Sequence, residues 1–130
     1  MSVEFNHTIV WSRDSEASAR FLARMLGLPA PKRWGPFQVV TTANDVNVDF
    51  MDKEGEIRKQ HYAFLVSEAE FEQILARVRN EGLSHWADPA QTKAGAINRH
   101  DGGRGIYFED PSGHLLEVIT RPYGSSGWEP

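Results

Sequence analysis

Polar and apolar positions along the 130-residue chain fall into strand-like and helix-like periods, and the same succession of periods runs twice. Residues 4–11 (EFNHTIVW) are rich in β-branched and aromatic side chains and stop at a polar SRDS cluster, which predicts a strand. The next segment carries Ala17, Phe21, Leu22, Met25 and Leu26 on one stripe of helical period. Asp14 or Ser15 suits its N-cap, Glu16 its first turn and Gly27 its end, so an amphipathic helix is predicted. A proline-broken loop (LPAPKRWGP) follows. Residues 37–43 and 46–51 then read as strands about a tight turn at Asn44-Asp45. The charged run DKEGEIRKQ reads as a solvated linker.

After the linker the pattern restarts. Residues 60–66 (QHYAFLV) predict a strand, and EAEFEQILARVRNEG places Phe71, Ile74, Leu75 and Val78 on one helical face with Gly82 as the stop. The interval from His7 to Gly27 nearly equals that from His61 to Gly82. A weak strand at 84–87 and a long Gly-containing loop over 88–103 come next. The runs GIYFE (105–109) and HLLEVIT (114–120) flank the turn Asp110-Pro111-Ser112-Gly113. The repeat units span about 4–51 and 60–121, and the Pro/Gly/Ser-rich residues 122–130 read as a mobile tail from which Tyr123 and Trp128 pack if anything does. Each unit is strand, helix, then roughly three strands. A helix covers one face of such a sheet, and the other face has to meet its counterpart. The expected fold is α+β: two paired βαβββ modules forming an open, barrel-like sheet around a cleft.

Alternation along the strands then sorts the ionisable residues by face. His7 shares a face with Phe5 and Ile9, and His61 with Ala63 and Leu65. Asp49 lies with Asn47 and Met51, opposite Val46, Val48 and Phe50. Glu117 lies with Leu115 and Ile119, opposite Leu116 and Val118. The apolar faces belong under the helices, so all four ionisable residues are expected to point into the cleft. A single strand histidine or strand-end carboxylate is ordinarily structural or solvated. Here two histidines each open a half in register and two carboxylates each close one. Inward carboxylates in an apolar cleft cost several kcal/mol each unless they are paired. A divalent cation removes that cost, because two imidazoles and a carboxylate form a ligand set with open positions. A metal-free polar cleft is the alternative.

Composition narrows the class. The chain has no cysteine, which excludes a disulfide scaffold, a thiolate nucleophile and a Cys-ligated zinc or iron–sulfur site. Its net charge of −4 argues against nucleic acid or an anionic membrane as partner. No apolar run reaches membrane-spanning length, and MSVEFNHTIV lacks a signal-peptide layout, so a cytoplasmic protein is expected.

The segments NHTIVWSRDSEASARFLARMLGLP, QHYAFLV and YFEDPSGHLLEVIT resemble the vicinal oxygen chelate superfamily, which contains glyoxalase I, bleomycin-resistance proteins and extradiol dioxygenases. The resemblance covers nearly the whole chain. It implies βαβββ modules, frequent homodimers, and metal ligands at His7, His61 and Glu117. Asp49 falls where glyoxalase I has a further glutamate ligand. Being one methylene shorter, it is expected either on the metal or off it as a base. The DGGRGIYFEDPSGHLLEVITRPYG ending and the VDFMD strand are similar to oxygenases of the chartreusin pathway, which act on aromatic polyketides with non-haem iron.

The resemblance implies a divalent metal, Fe(II) first and Ni, Zn, Mn or Co as alternatives, an aromatic small-molecule substrate and O2. The expected roles are Asp49 as base and Phe5, Ile9, Met51 and Ala63 as ring-binding residues. Tyr107 is a stacking candidate, and Arg104 and His100 are lid candidates in a loop whose ordinary reading is solvated. His114 lies on the opposite face from Glu117 and is expected to be structural. Two other classes fit the same architecture: a glyoxalase-type lyase or isomerase, and a metal-free antibiotic-binding protein.

Overall fold

A computed structural model of the chain describes residues 2–127; Trp128 lies outside the described residues. The elements run β1 (His7–Ser12), α1 (Ser15–Leu26), β2 (Lys32–Trp34), β3 (Phe37–Thr41), β4 (Asn47–Asp52), β5 (His61–Leu65), α2 (Glu68–Asn80), β6 (His85–Trp86), β7 (Gly105–Glu109) and β8 (Leu115–Ile119). A short 3-10 turn spans His100–Gly102. The described residues form two compact units: those up to 58 with 110–112, and 59–109 with those from 113 onward.

The first unit is one four-stranded mixed sheet in the order β1-β4-β3-β2. β1 and β4 run parallel, which requires a crossover, and α1 with the β2–β3 hairpin supplies it. The Asp14 carboxylate caps α1 by accepting the Ala17 N–H at 3.1 Å. The helix ends at Gly27 in the left-handed conformation (φ 68°), with the Leu28 N–H donating to Ala23 O. Its stripe of Ala19, Phe21, Leu22 and Met25 is buried with Val10, Val40, Val48 and Phe50 of the sheet. Each large side chain so buried contributes about 1.5–3 kcal/mol.

One element of this unit departs from the sequence reading. Residues 32–34 form an edge strand where a loop is expected. All three residues are exposed and pair only with β3, so no hydrophobic alternation marks them. The first strand also starts at His7, three residues later than its composition suggests.

The second unit repeats the plan with the order β5-β8-β7-β6, again with one parallel pair, β5–β8. Ser67 and Glu70 form a capping box at the start of α2. The Ser67 Oγ accepts the Glu70 N–H, and the Glu70 carboxylate accepts the Ser67 N–H. Phe71, Ile74, Leu75 and Val78 of α2 are buried, as are Ile106, Phe108, Leu116 and Val118 of the sheet. His114 is buried as expected of a structural histidine: its Nδ1 accepts the Gln60 N–H at 3.0 Å, and Tyr62 meets its ring edge-on. The two four-stranded α+β modules match the predicted βαβββ repeat.

Candidate functional site

Register places the four ionisable residues at equivalent points of the two sheets. His7 pairs with Asn47, and Asp49 lies between Ile9 and Val39. His61 pairs with Leu115, and Glu117 lies between Ala63 and Tyr107. In each sheet the histidine begins the first strand, and the carboxylate stands two residues further along the neighbouring parallel strand. Paired residues share a face, so His7, Asp49, Ile9 and Met51 lie on one face of the first sheet. His61, Glu117, Ala63 and Tyr107 lie on one face of the second. These are the faces turned away from the buried positions Val10, Val48 and Phe50 in the first unit, and Leu116 and Val118 in the second.

The second unit holds the better-defined cluster. Glu117 is 0% exposed although it sits in mid-strand. His61 Nδ1 lies 3.0 Å from the Leu115 carbonyl oxygen. A carbonyl only accepts, so Nδ1 carries a proton. Nε2 faces Glu117 Oε1 at 3.1 Å. A contact at this distance is bridged by a proton on Nε2 or by a cation. The separation also matches that of two adjacent ligands around a divalent ion bound at about 2.1 Å. A ring whose far nitrogen is fixed by a carbonyl is the usual arrangement for a metal-ligating histidine. The donor set therefore fits a divalent cation.

Two tyrosines complete the cluster. Tyr123 Oη donates to both Glu117 oxygens, at 2.8 and 3.0 Å. Tyr107 stacks on His61, with ring centroids 5.8 Å apart and planes 29° apart. Burial pushes the Tyr107 phenol well above the usual tyrosine range, and hydrogen bonds to Tyr123 and Glu117 add to the rise. Burial likewise raises Tyr123, with a hydrogen bond from Tyr107 opposing it. Both therefore remain neutral phenols beside the carboxylate. Nothing in the sequence period singles out Tyr123; it follows the last strand in a run of turn-forming residues.

In the first unit, His7 repeats the tautomer logic: Nδ1 donates to Asn6 Oδ1 at 2.8 Å, leaving Nε2 free of that bond. Asp49 is half-buried, and its Oδ1 is buried without a hydrogen-bond partner among the described residues. An orphan carboxylate oxygen is costly to bury and marks an acceptor waiting for a donor or a cation. Ile9 and Trp11 are about two-fifths exposed, Phe5 and Ala63 are exposed, and Met51 is half-buried. No group of three His, Asp or Glu side chains gathers as a metal cluster among the described residues.

The remaining candidates lie elsewhere. Arg104 Nε–H donates to Glu68 at 2.9 Å, a second guanidinium nitrogen donates to Glu72, and the guanidinium covers the Phe71 ring at 4.5 Å. Arg104 is thus tied to the first turns of α2. His100 is exposed and opens the 3-10 turn.

The two modules belong to a known family. The profile of the Glyoxalase/Bleomycin resistance protein/Dioxygenase superfamily matches residues 4–118, and the chain belongs to that superfamily. Among solved structures it is similar to Oxidase ChaP-H1, with 59% identity, a TM-score of 0.94, and coverage of 95% of this chain and 100% of that one. Oxidase ChaP-H2 is similar at 56% identity and a TM-score of 0.95, covering 98% of this chain and 100% of that one. Glutathione transferase FosA of Serratia marcescens is 28% identical over 126 residues, 91% of this chain and 81% of the relative. Superfamily membership and oxidase-named relatives support an enzyme. No helix among the described residues is long and apolar enough to cross a membrane.

Proposed function

We propose that this chain is a non-haem Fe(II) oxygenase acting on a phenolic, polyketide-like aromatic substrate, and that it works as a homodimer. The observation that carries the reading is the His61–Glu117 pair, in which the imidazole Nε2 and a buried carboxylate face each other at 3.1 Å. The similarity to two proteins named oxidases, at 59% and 56% identity, supports redox chemistry over isomerisation. His61, Glu117 and His7 would hold the cation, His7 coming from the same chain or from a second copy. When bound, iron supplies open positions for O2 and for a substrate oxygen.

The protein's own residues prepare the substrate. Asp49, whose carboxylate has an oxygen without a donor, accepts the proton of the phenolic hydroxyl. Phe5, Ile9, Met51 and Ala63 offer an apolar surface to the ring, and Tyr107 keeps the His61 imidazole in plane by stacking on it.

The test is O2 uptake by iron-loaded protein supplied with polycyclic phenols, run beside an anaerobic control. Substrate-dependent uptake that vanishes without O2 supports the reading. Equal turnover with and without O2 replaces it with a glyoxalase-type lyase or isomerase.

A further inference from the structure

The C-terminal segment after β8 does more than end the chain. Glu117 is fully buried, and a carboxylate there needs donors. Of its cross-strand neighbours Ala63 has no donor, and the Tyr107 phenol hydrogen-bonds it from the other side. The hydroxyl that reaches both of its oxygens comes from Tyr123, six residues later and past Pro122. Tyr123 is 48% exposed, so its ring is not held there by burial alone.

What holds it is a clasp from the long loop. Asp101 accepts the Gly124 N–H at 3.2 Å on one oxygen, and the Ser126 hydroxyl at 2.6 Å and N–H at 3.4 Å on the other. The segment is also braced within itself. The Ser125 N–H donates to Pro122 O, Gly127 to Gly124 O, and Arg121 Nε to Ser125 Oγ.

Asp101 holds this clasp from a left-handed backbone conformation (φ 56°), which costs an L-residue energy and persists where surroundings impose it. Gly103 lets the loop come this close: a Cβ there would stand 2.7 Å from Thr120 Oγ1 and 2.9 Å from Arg121 Cγ. The Ser126 hydroxyl, ahead of the backbone donors, holds the Asp101 carboxyl below its usual range, so the clasp stays ionised in mildly acidic solution.

We infer that residues 121–127 form a strap, clasped by Asp101, whose Tyr123 is a positioning residue: its hydroxyl fixes the Glu117 carboxylate in the orientation that presents Oε1 beside His61 Nε2. This rests on the metal-dependent reading above. A partner that orients a ligating carboxylate changes metal affinity by about 10–100-fold when it is removed. Asp101 touches no candidate ligand and acts only through the strap.

The test is calorimetric titration of the full-length metal-free chain with Co(II) and Mn(II), together with the visible absorption of the Co(II) form. Wild type, Tyr123→Phe, Asp101→Ala and the double variant are compared, with thermal midpoints recorded for each. Tyr123→Phe is expected to weaken binding about 10–100-fold and to shift the Co(II) bands. Asp101→Ala should reproduce most of the loss, and the double variant should lose no more than Tyr123→Phe alone. Unchanged affinity and spectrum in Tyr123→Phe, with or without a lower midpoint, overturns the inference. Tighter binding overturns it too, because Tyr123 would then compete with the ion. If Tyr123→Phe does not fold, Asp101→Ala decides by the same readout. A wild type that takes up neither ion overturns the metal reading and this inference together. A wild type that binds while the variants match it overturns only this one.

Discussion

Asp49 and Glu117 occupy the same register position in their respective sheets, yet one has an oxygen with no donor and the other is bonded on both oxygens. Asp49 lies between Ile9 and Val39, whose side chains offer no hydrogen. Glu117 lies between Ala63 and Tyr107 and takes hydrogen bonds from the Tyr123 hydroxyl on both oxygens. The duplicated framework thus surrounds its two carboxylates differently: Glu117 is held by a hydroxyl, and Asp49 keeps an oxygen without a donor.

That asymmetry makes Asp49→Asn informative. The amide keeps the shape and removes the proton acceptor. Turnover should fall by about 10²–10⁴-fold, the usual contribution of a general base, while metal content and the unfolding midpoint stay near wild type. Steady-state kinetics alongside metal analysis checks this. Loss of metal in Asp49→Asn would make Asp49 a ligand instead.

His61→Ala separates site from scaffold. The imidazole is 44% exposed and Tyr123 still bonds Glu117 when it is removed, so the variant should remain folded. Metal should be lost all the same. Urea unfolding and metal analysis of the variant check both. A variant that unfolds outright makes His61 a structural residue.

Ser67→Ala removes one half of the capping box and should cost about 1 kcal/mol, read as a lower urea midpoint at unchanged slope. Arg104→Ala should cost a similar amount, about 1 kcal/mol, since it cuts two ion pairs to Glu68 and Glu72 and uncovers Phe71.

Acid sensitivity follows from the carboxylates that cap and clasp. The Ser15 N–H holds Asp52 below its ordinary 3.8, and the Ser67 N–H holds Glu70 below its ordinary 4.5. Asp101 is lowered by the Ser126 hydroxyl. Because the native values lie below the unfolded ones, the stability they contribute is fully present above the unfolded values. It is lost as pH falls through the native ones. The unfolding midpoint should therefore be insensitive to these groups at neutral pH and drop in acid. Asp52→Asn should make the drop shallower, as thermal melts across acidic buffers would show.

Much of this was legible in the chain. Alternation in EFNHTIVW and HLLEVIT set which side of each strand faces the core, because a period of two admits only two faces. Gly27 and the Asp14 cap marked α1, and His7, His61, Asp49 and Glu117 fell into register because the repeat preserves spacing. The edge strand at 32–34 was not legible, since three exposed residues paired on one side carry no pattern. Tyr123 was not either. Its bond to Glu117 ties a turn to a strand, and the bonds that Asp101 accepts from Gly124 and Ser126 join two loops across the sequence; turn-forming composition is the same whether a segment is held or free.

The metal content of protein purified anaerobically without chelators, measured for wild type and Glu117→Gln, decides whether this site holds iron. Near-stoichiometric iron is expected in wild type and is lost in the variant, with both proteins folded. Absence of metal from both, or equal metal in both, would contradict this expectation.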